Sequence, residues 1–88
     1  MAQRPISIDE RLAKALSNSL RAKALKLIGE GFASPKAIAE ELDADLPTVA
    51  YHVRVLRRLG CVELVKTKKR RGAVEHIYRV APRALEKG

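Results

Sequence analysis

Lys66, Lys68, Lys69, Arg70 and Arg71 put five cations into six consecutive positions. Side chains of this type make charge-assisted hydrogen bonds to phosphate and carboxylate oxygens. Crowded together they also repel one another, and a polyanion relieves that repulsion. A second set lies upstream. From Leu46 to Val62 the chain carries no acid, and Pro47, Thr48, Ala50, Tyr51, Arg54, Arg57 and Arg58 fall in that stretch. Thr48 offers a hydroxyl to a base or a phosphate. Tyr51 can bond a phosphate or press its ring on a thymine methyl. Arg54 is long enough to grip a guanine edge or a phosphate with two hydrogen bonds, and Arg57 and Arg58 suit the backbone.

Charge is distributed to match. Of the 88 residues, 1–45 hold seven Lys/Arg and seven Asp/Glu, whereas 46–83 hold ten Lys/Arg against Glu63 and Glu75. The net charge of +8 therefore sits on one contiguous stretch, as attraction to a polyanion would require. Three aromatic residues, Phe32, Tyr51 and Tyr78, are too few for the stacking platforms of a single-strand binder.

Other chemistries lack their residues. Cys61 is the single cysteine, which rules out an internal disulfide and a multi-cysteine zinc site. His52 and His76 do not make a metal site. There is no phosphate-cradling glycine loop, no GxSxG and no HExxH. Glu40, Glu41, Asp43 and Asp45 cluster at a helix end and turn, where solvation or capping explains them. The reading is therefore no enzyme, no cofactor, no metal and no evident small-molecule ligand. No apolar run approaches the ~20 residues of a membrane span, and Met1–Asp9 lacks a signal-peptide core. A soluble cytoplasmic protein is expected.

The elements that must hold these residues follow from periodicity and punctuation. Asp9 is the expected N-cap of a first helix bearing Ile8, Leu12 and Leu16 at i, i+4, i+8. A break at Ser17–Asn18–Ser19 opens a second helix, with Leu20, Ala24, Leu27 and Ile28 inward and Gly29 or Gly31 at its end. Phe32-Ala33 has room for one bridge of sheet at most. Ser34-Pro35 is an N-cap followed by proline at the first helical position, starting a third helix to about Leu42. Asp43-Ala44-Asp45 turns into a fourth helix over 46–59, capped by Asp45, with Leu46, Val49, Val53 and Leu56 as its apolar stripe and Gly60 past its end. His52 borders that stripe, so a packed histidine and a polyanion contact both remain open. Cys61 is expected in the core and His76 at the surface.

The period then changes. Val62–Lys66 and Val74–Val80 read as the two strands of an antiparallel hairpin, joined by a long basic loop over 67–73, and Pro82 stops the second strand. The expected fold is mainly α with a small β-hairpin: a winged helix-turn-helix of four helices and a two-stranded wing, with a short helical turn over 83–88. One domain covers 1–88, with 1–8 and 83–88 expected to fray. On this fold the face of Pro47, Thr48, Ala50, Tyr51, Arg54 and Arg58 would enter the major groove of double-stranded DNA. The wing, 66–73, would lie on phosphates or reach the minor groove. Two other readings stand beside it: an architectural or RNA-binding winged helix of low sequence preference, and a module docking an acidic protein surface.

The runs Ser34-Pro-Lys-Ala-Ile-Ala-Glu-Glu-Leu42 and Thr48-Val-Ala-Tyr-His-Val-Arg-Val-Leu-Arg-Arg-Leu-Gly-Cys-Val62, with Leu20-Arg21, resemble the ArsR-type bacterial winged-helix repressors. The likeness covers roughly residues 9–80. It implies sequence-specific binding of operator DNA, repression of transcription and a homodimer. The positions matching the family's DNA contacts are Pro47, Thr48, Ala50, Tyr51, His52 and Arg54. Two departures matter. Metal-sensing members carry a cysteine pair in the recognition region or His and acidic ligands on a terminal helix, and this chain has neither. The family dimer also uses a long last helix. Here that helix is expected to be a stub, so the dimer would rest on the first helix, with Ile6, Ile8, Leu12 and Leu16, or be weak.

Overall fold

The computed structural model describes residues 8–82, and of Ile8 and Asp9 it describes the backbone alone. Ile6, the side chain of Ile8, the ends expected to fray and the turn expected over 83–88 lie outside the described residues. Four helices are followed by one hairpin: α1 (Ile8–Leu16), α2 (Ser19–Gly29), α3 (Pro35–Leu42), α4 (Leu46–Arg58), β1 (Val62–Arg70) and β2 (Ala73–Val80).

Short polar side chains set where three of the helices begin. The Asn18 side chain accepts from the N–H of Arg21 and opens α2; Ser34 accepts from Ala37 and opens α3; Asp45 accepts from Thr48 and opens α4. Each satisfies one of the N–H groups that a first turn leaves without a partner. Asp9 does not do this for α1. The helix already runs through Ile8, so Asp9 is helical and cannot take the extended geometry of a cap. The helix ends are equally local. α2 closes at Gly29, and the N–H of Phe32 turns back to the carbonyl of Leu27 at 2.9 Å. Asp43 adopts a left-handed conformation, φ 50°, and lets the chain turn sharply from α3 towards α4.

The apolar stripes converge on one small core. Ile38, Val49, Val53 and Leu56 are fully buried, and Ala15, Ala24, Ile28, Cys61, Val62 and Tyr78 close around them. Each such aliphatic side chain contributes about 1.5–3 kcal/mol by leaving water. Leu46 departs from its expected place at the head of the α4 stripe. It is 45 % exposed, because the first turn of α4 faces the open side towards the wing.

The hairpin is longer and tighter than the sequence suggests. β1 and β2 pair antiparallel up to Arg70 opposite Ala73, so the expected seven-residue loop shrinks to Arg71-Gly72. Both turn residues have positive φ, 44° at Arg71 and 83° at Gly72, the type I′ arrangement that matches strand twist. The pairing steps from Leu64–Tyr78 to Lys66–Ile77, leaving Val65 as an extra residue, a β-bulge. Below it, Val62 and Leu64 share the core face with Val80 and Tyr78. Above it, the bulge shifts the alternation by one, so that Lys66, Lys68 and Arg70 share the outer face with Ile77, Glu75 and Ala73. Thr67 and Lys69 share the other face with His76 and Val74. Ala33 forms no strand, but its carbonyl accepts from the N–H of Tyr78 at 2.7 Å and ties β2 to the helices.

Candidate nucleic-acid interface

Helix α4 presents two unlike sides. Val49, His52, Val53 and Leu56 are buried, whereas Pro47, Thr48, Tyr51, Arg54, Arg57 and Arg58 are exposed and Ala50 is half-buried. The exposed side is set by its N-terminus. Asp45 Oδ2 accepts from both the N–H and the Oγ1 of Thr48, at 3.2 and 3.0 Å, which fixes the first turn. Tyr51 is 51 % exposed, with its ring held edge-on to that of His52 at 5.2 Å between centroids. Arg57 and Arg58 stand in the last turn, where cations offset the partial negative charge of the helix end.

His52 belongs to the other side. It is 7 % exposed and its Nδ1 lies 3.4 Å from Nη1 of Arg21 on α2. Of the two roles the sequence allows, this is the packed histidine; the ring is not presented with the exposed face. Burial, and then the neighbouring guanidinium, hold the imidazole below its usual range, so it is neutral at pH 7. Cys61 is buried as expected. Its thiol is pushed up by burial, which Arg11 partly opposes.

The wing carries its cations on a regular strand instead of in a loop. Lys66, Lys68, Lys69, Arg70 and Arg71 are all exposed, but they are not equivalent. Glu63 and Glu75, the two acids of residues 46–83, both lie on the outer face, and each takes an arginine: Glu63 pairs with Arg79, and Glu75 with Arg70 at 3.5 Å. Arg70 is therefore partly neutralised. Lys69 stands on the opposite face from both acids, and Arg71 sits in the turn itself. His76 is exposed, as expected, and stacks on Tyr78 at 6.4 Å.

Between the start of α4 and the wing runs an open groove of about 310 Å³ lined by Leu46 and Ala50 on one side and Val74 and His76 on the other. Pro35 and Lys36, at the start of α3, also line it, as do the paired Arg70 and Glu75 of the wing. Sequence reasoning did not find the part played by Lys36. The Ser34-Pro35 start locates its helix, but only the packing of α3 beside β2 brings it to this groove. The first-helix residues are mixed: Leu12 is half-buried and Leu16 is 49 % exposed. Among the described residues no group of His, Cys, Asp or Glu could hold a metal ion, and no helix is long and apolar enough to cross a membrane.

Comparison with known proteins points the same way as the geometry. A family model described as a helix-turn-helix domain matches residues 16–65. The structure resembles the homodimeric winged helix-turn-helix DNA-binding domain, fragment 1–100, of a possible ArsR-family transcriptional regulator from Mycobacterium bovis. That likeness has a TM-score of 0.64 and 28 % identity over 84 % of this chain, and it spans 64 % of the fragment. A crystal structure from M. bovis, of fragment 1–100 of a possible transcriptional regulatory protein, gives a TM-score of 0.63 and 31 % identity, covering 84 % of this chain and 74 % of that one. The cadmium metal-sensor CMTR of Mycobacterium tuberculosis is similar at a TM-score of 0.58 and 27 % identity, over 81 % of this chain and 69 % of that one. Among curated proteins, no sequence matches the chain.

Proposed function

Because this chain belongs to the helix-turn-helix domain family, as one of its ArsR-type winged members, we propose that it is a sequence-specific regulator of transcription, a repressor that binds duplex DNA as a homodimer. The family is one of DNA-binding regulators, not of enzymes. The observation that carries the reading is that an acid-free helix and a cation-bearing hairpin lie side by side: Leu46 and Ala50 of α4 and Arg70, Val74, Glu75 and His76 of the hairpin line one groove. An α-helix fits the major groove, where Thr48, Tyr51 and Arg54 would meet base edges and phosphates. Pro47 and Ala50 would let the helix approach closely, and Arg58 would clamp the backbone. Lys66, Lys68, Lys69 and Arg71 would neutralise phosphates, with Arg70 contributing less because Glu75 shares it.

The second copy would pack on α1, where Leu12 and Leu16 leave apolar surface uncovered. The homodimeric state of the M. bovis domain supports a dimer, and the uncovered apolar side chains of α1 support its place there. Metal sensing, the role of the M. tuberculosis cadmium sensor, is not proposed, since no thiol pair is available in a sequence with one cysteine.

Selection of bound duplexes from a random pool tests the reading. A palindromic consensus with half-sites about one helical turn apart is expected of a symmetric dimer. Enrichment of no sequence would leave an architectural binder. No binding even at low salt would refute a DNA partner.

A further inference from the structure

Arg21, on the first turn of α2, spends its guanidinium on two other helices. Its Nε donates to the carbonyl of Ala15 at 3.1 Å, and its Nη2 to the carbonyl of Lys14 at 2.8 Å and to Oγ of Ser17 at 3.1 Å. Lys14 and Ala15 carry two of the last carbonyls of α1, which have no partner within their own helix. The remaining nitrogen, Nη1, points at Nδ1 of His52 on α4, 31 positions along the chain, at 3.4 Å. A guanidinium has donors only, so Nδ1 accepts and the ring proton sits on Nε2. The fork is planar and rigid, so fixing two of its nitrogens on α1 fixes the direction of the third. That third nitrogen sets the ring of His52, and the ring of His52 lies edge-on against Tyr51, half of which is exposed.

We propose that Arg21 and His52 are positioning residues that link the C-terminal end of α1 to the orientation of Tyr51, so that the packing of α1 sets which duplex sequences α4 prefers. Both would act through Tyr51 and not by touching DNA themselves. A plain hydrophobic contact between α2 and α4 would hold the helices together as well, but it would tolerate sliding; a fork with three fixed directions does not. The proposal rests on the reading of α4 as the helix that enters DNA, and its test separates the two.

Arg21→Lys keeps the charge but loses the fork. In the free full-length chain, NMR of the imidazole nitrogens reports the His52 tautomer, and the Tyr51 ring protons report its packing. The expected result is a mixed tautomer and displaced Tyr51 resonances in Arg21→Lys. In binding assays the ratio of affinities for a selected duplex over a random one should fall about tenfold. Non-specific affinity and its salt dependence should hold, because the charge is unchanged. His52→Asn, which keeps an acceptor near the position of Nδ1, should retain most of the ratio, and His52→Leu should lose it. An unmoved Tyr51 ring, or an unchanged ratio in both Arg21→Lys and His52→Leu, overturns the link. Failure of the wild-type chain to bind any duplex overturns the DNA reading instead, and binding without preference overturns its sequence specificity; in both cases the NMR result still decides whether the link exists.

Discussion

Replacing Lys68, Lys69 and Arg71 with glutamine would remove three wing cations while leaving the Arg70–Glu75 and Arg79–Glu63 pairs in place. Each cation that neutralises a phosphate of B-form DNA adds about 0.9 to the slope of log affinity against log salt concentration. If all three meet phosphates, the slope flattens by about 2.7. Over a fourfold rise in salt, from about 50 to about 200 mM, the wild type then loses about 40-fold more affinity than the variant. Fluorescence anisotropy with a labelled duplex at several salt concentrations measures both slopes. A companion variant reverses the sign. Glu75→Gln frees Arg70 and should steepen the slope by up to about 0.9. An unchanged slope in the triple variant would remove the wing from the interface and refute the assignment of affinity to it. A Glu75→Gln slope equal to wild type would mean that Arg70 reaches no phosphate even when released.

Three further outcomes follow from the same geometry. Arg54→Ala should cost about 1–3 kcal/mol on the preferred site and relax selectivity at one base step if Arg54 grips guanine; equal weakening on all duplexes would make it a phosphate contact. Asp45→Ala removes both bonds to Thr48, and thermal or denaturant unfolding should show a loss of about 0.5–2 kcal/mol. The third concerns acid. Burial and Arg21 hold the folded imidazole of His52 below its ordinary 6.5, so the unfolded chain protonates first. The stability from the neutral ring is complete above that value and is lost as pH falls from 6.5 towards the lowered folded value. Melts across that interval should show the midpoint falling with acid, and His52→Asn should reduce that fall; identical curves would contradict the assignment.

What the sequence made legible was local. Ser34-Pro35 and Asp45 announced helix starts through bonds that span three residues, and they lie where expected. The α4 stripe of Val49, Val53 and Leu56 announced the core. The errors came from interactions the chain makes with distant parts of itself. A run of lysines and arginines has little preference for strand and repels itself, so 67–73 reads as a loop. Pairing with Ala73, Val74, Glu75 and His76 makes it regular up to Arg70. The bulge at Val65 leaves no mark in composition, yet it decides which cations share a face with Glu75. The contact of Arg21 with His52 joins residues on different helices, and no periodicity reports it. Leu46 fits the stripe by spacing and departs from it because the wing side of α4 is open.

The hairpin holds only two strands, so β1 offers one edge whose backbone N–H and C=O groups face no third strand among the described residues. Exposed edges of this kind recruit other chains into sheets, and Val65 and Val74, both half exposed, add apolar surface to the hairpin. Lysines along such a strand are a common defence, because two like-charged edges cannot approach. The wing cations thus guard solubility when no nucleic acid is bound. Stripping them would expose a sticky ribbon, and a duplex laid over the wing, as proposed, would take over the guarding.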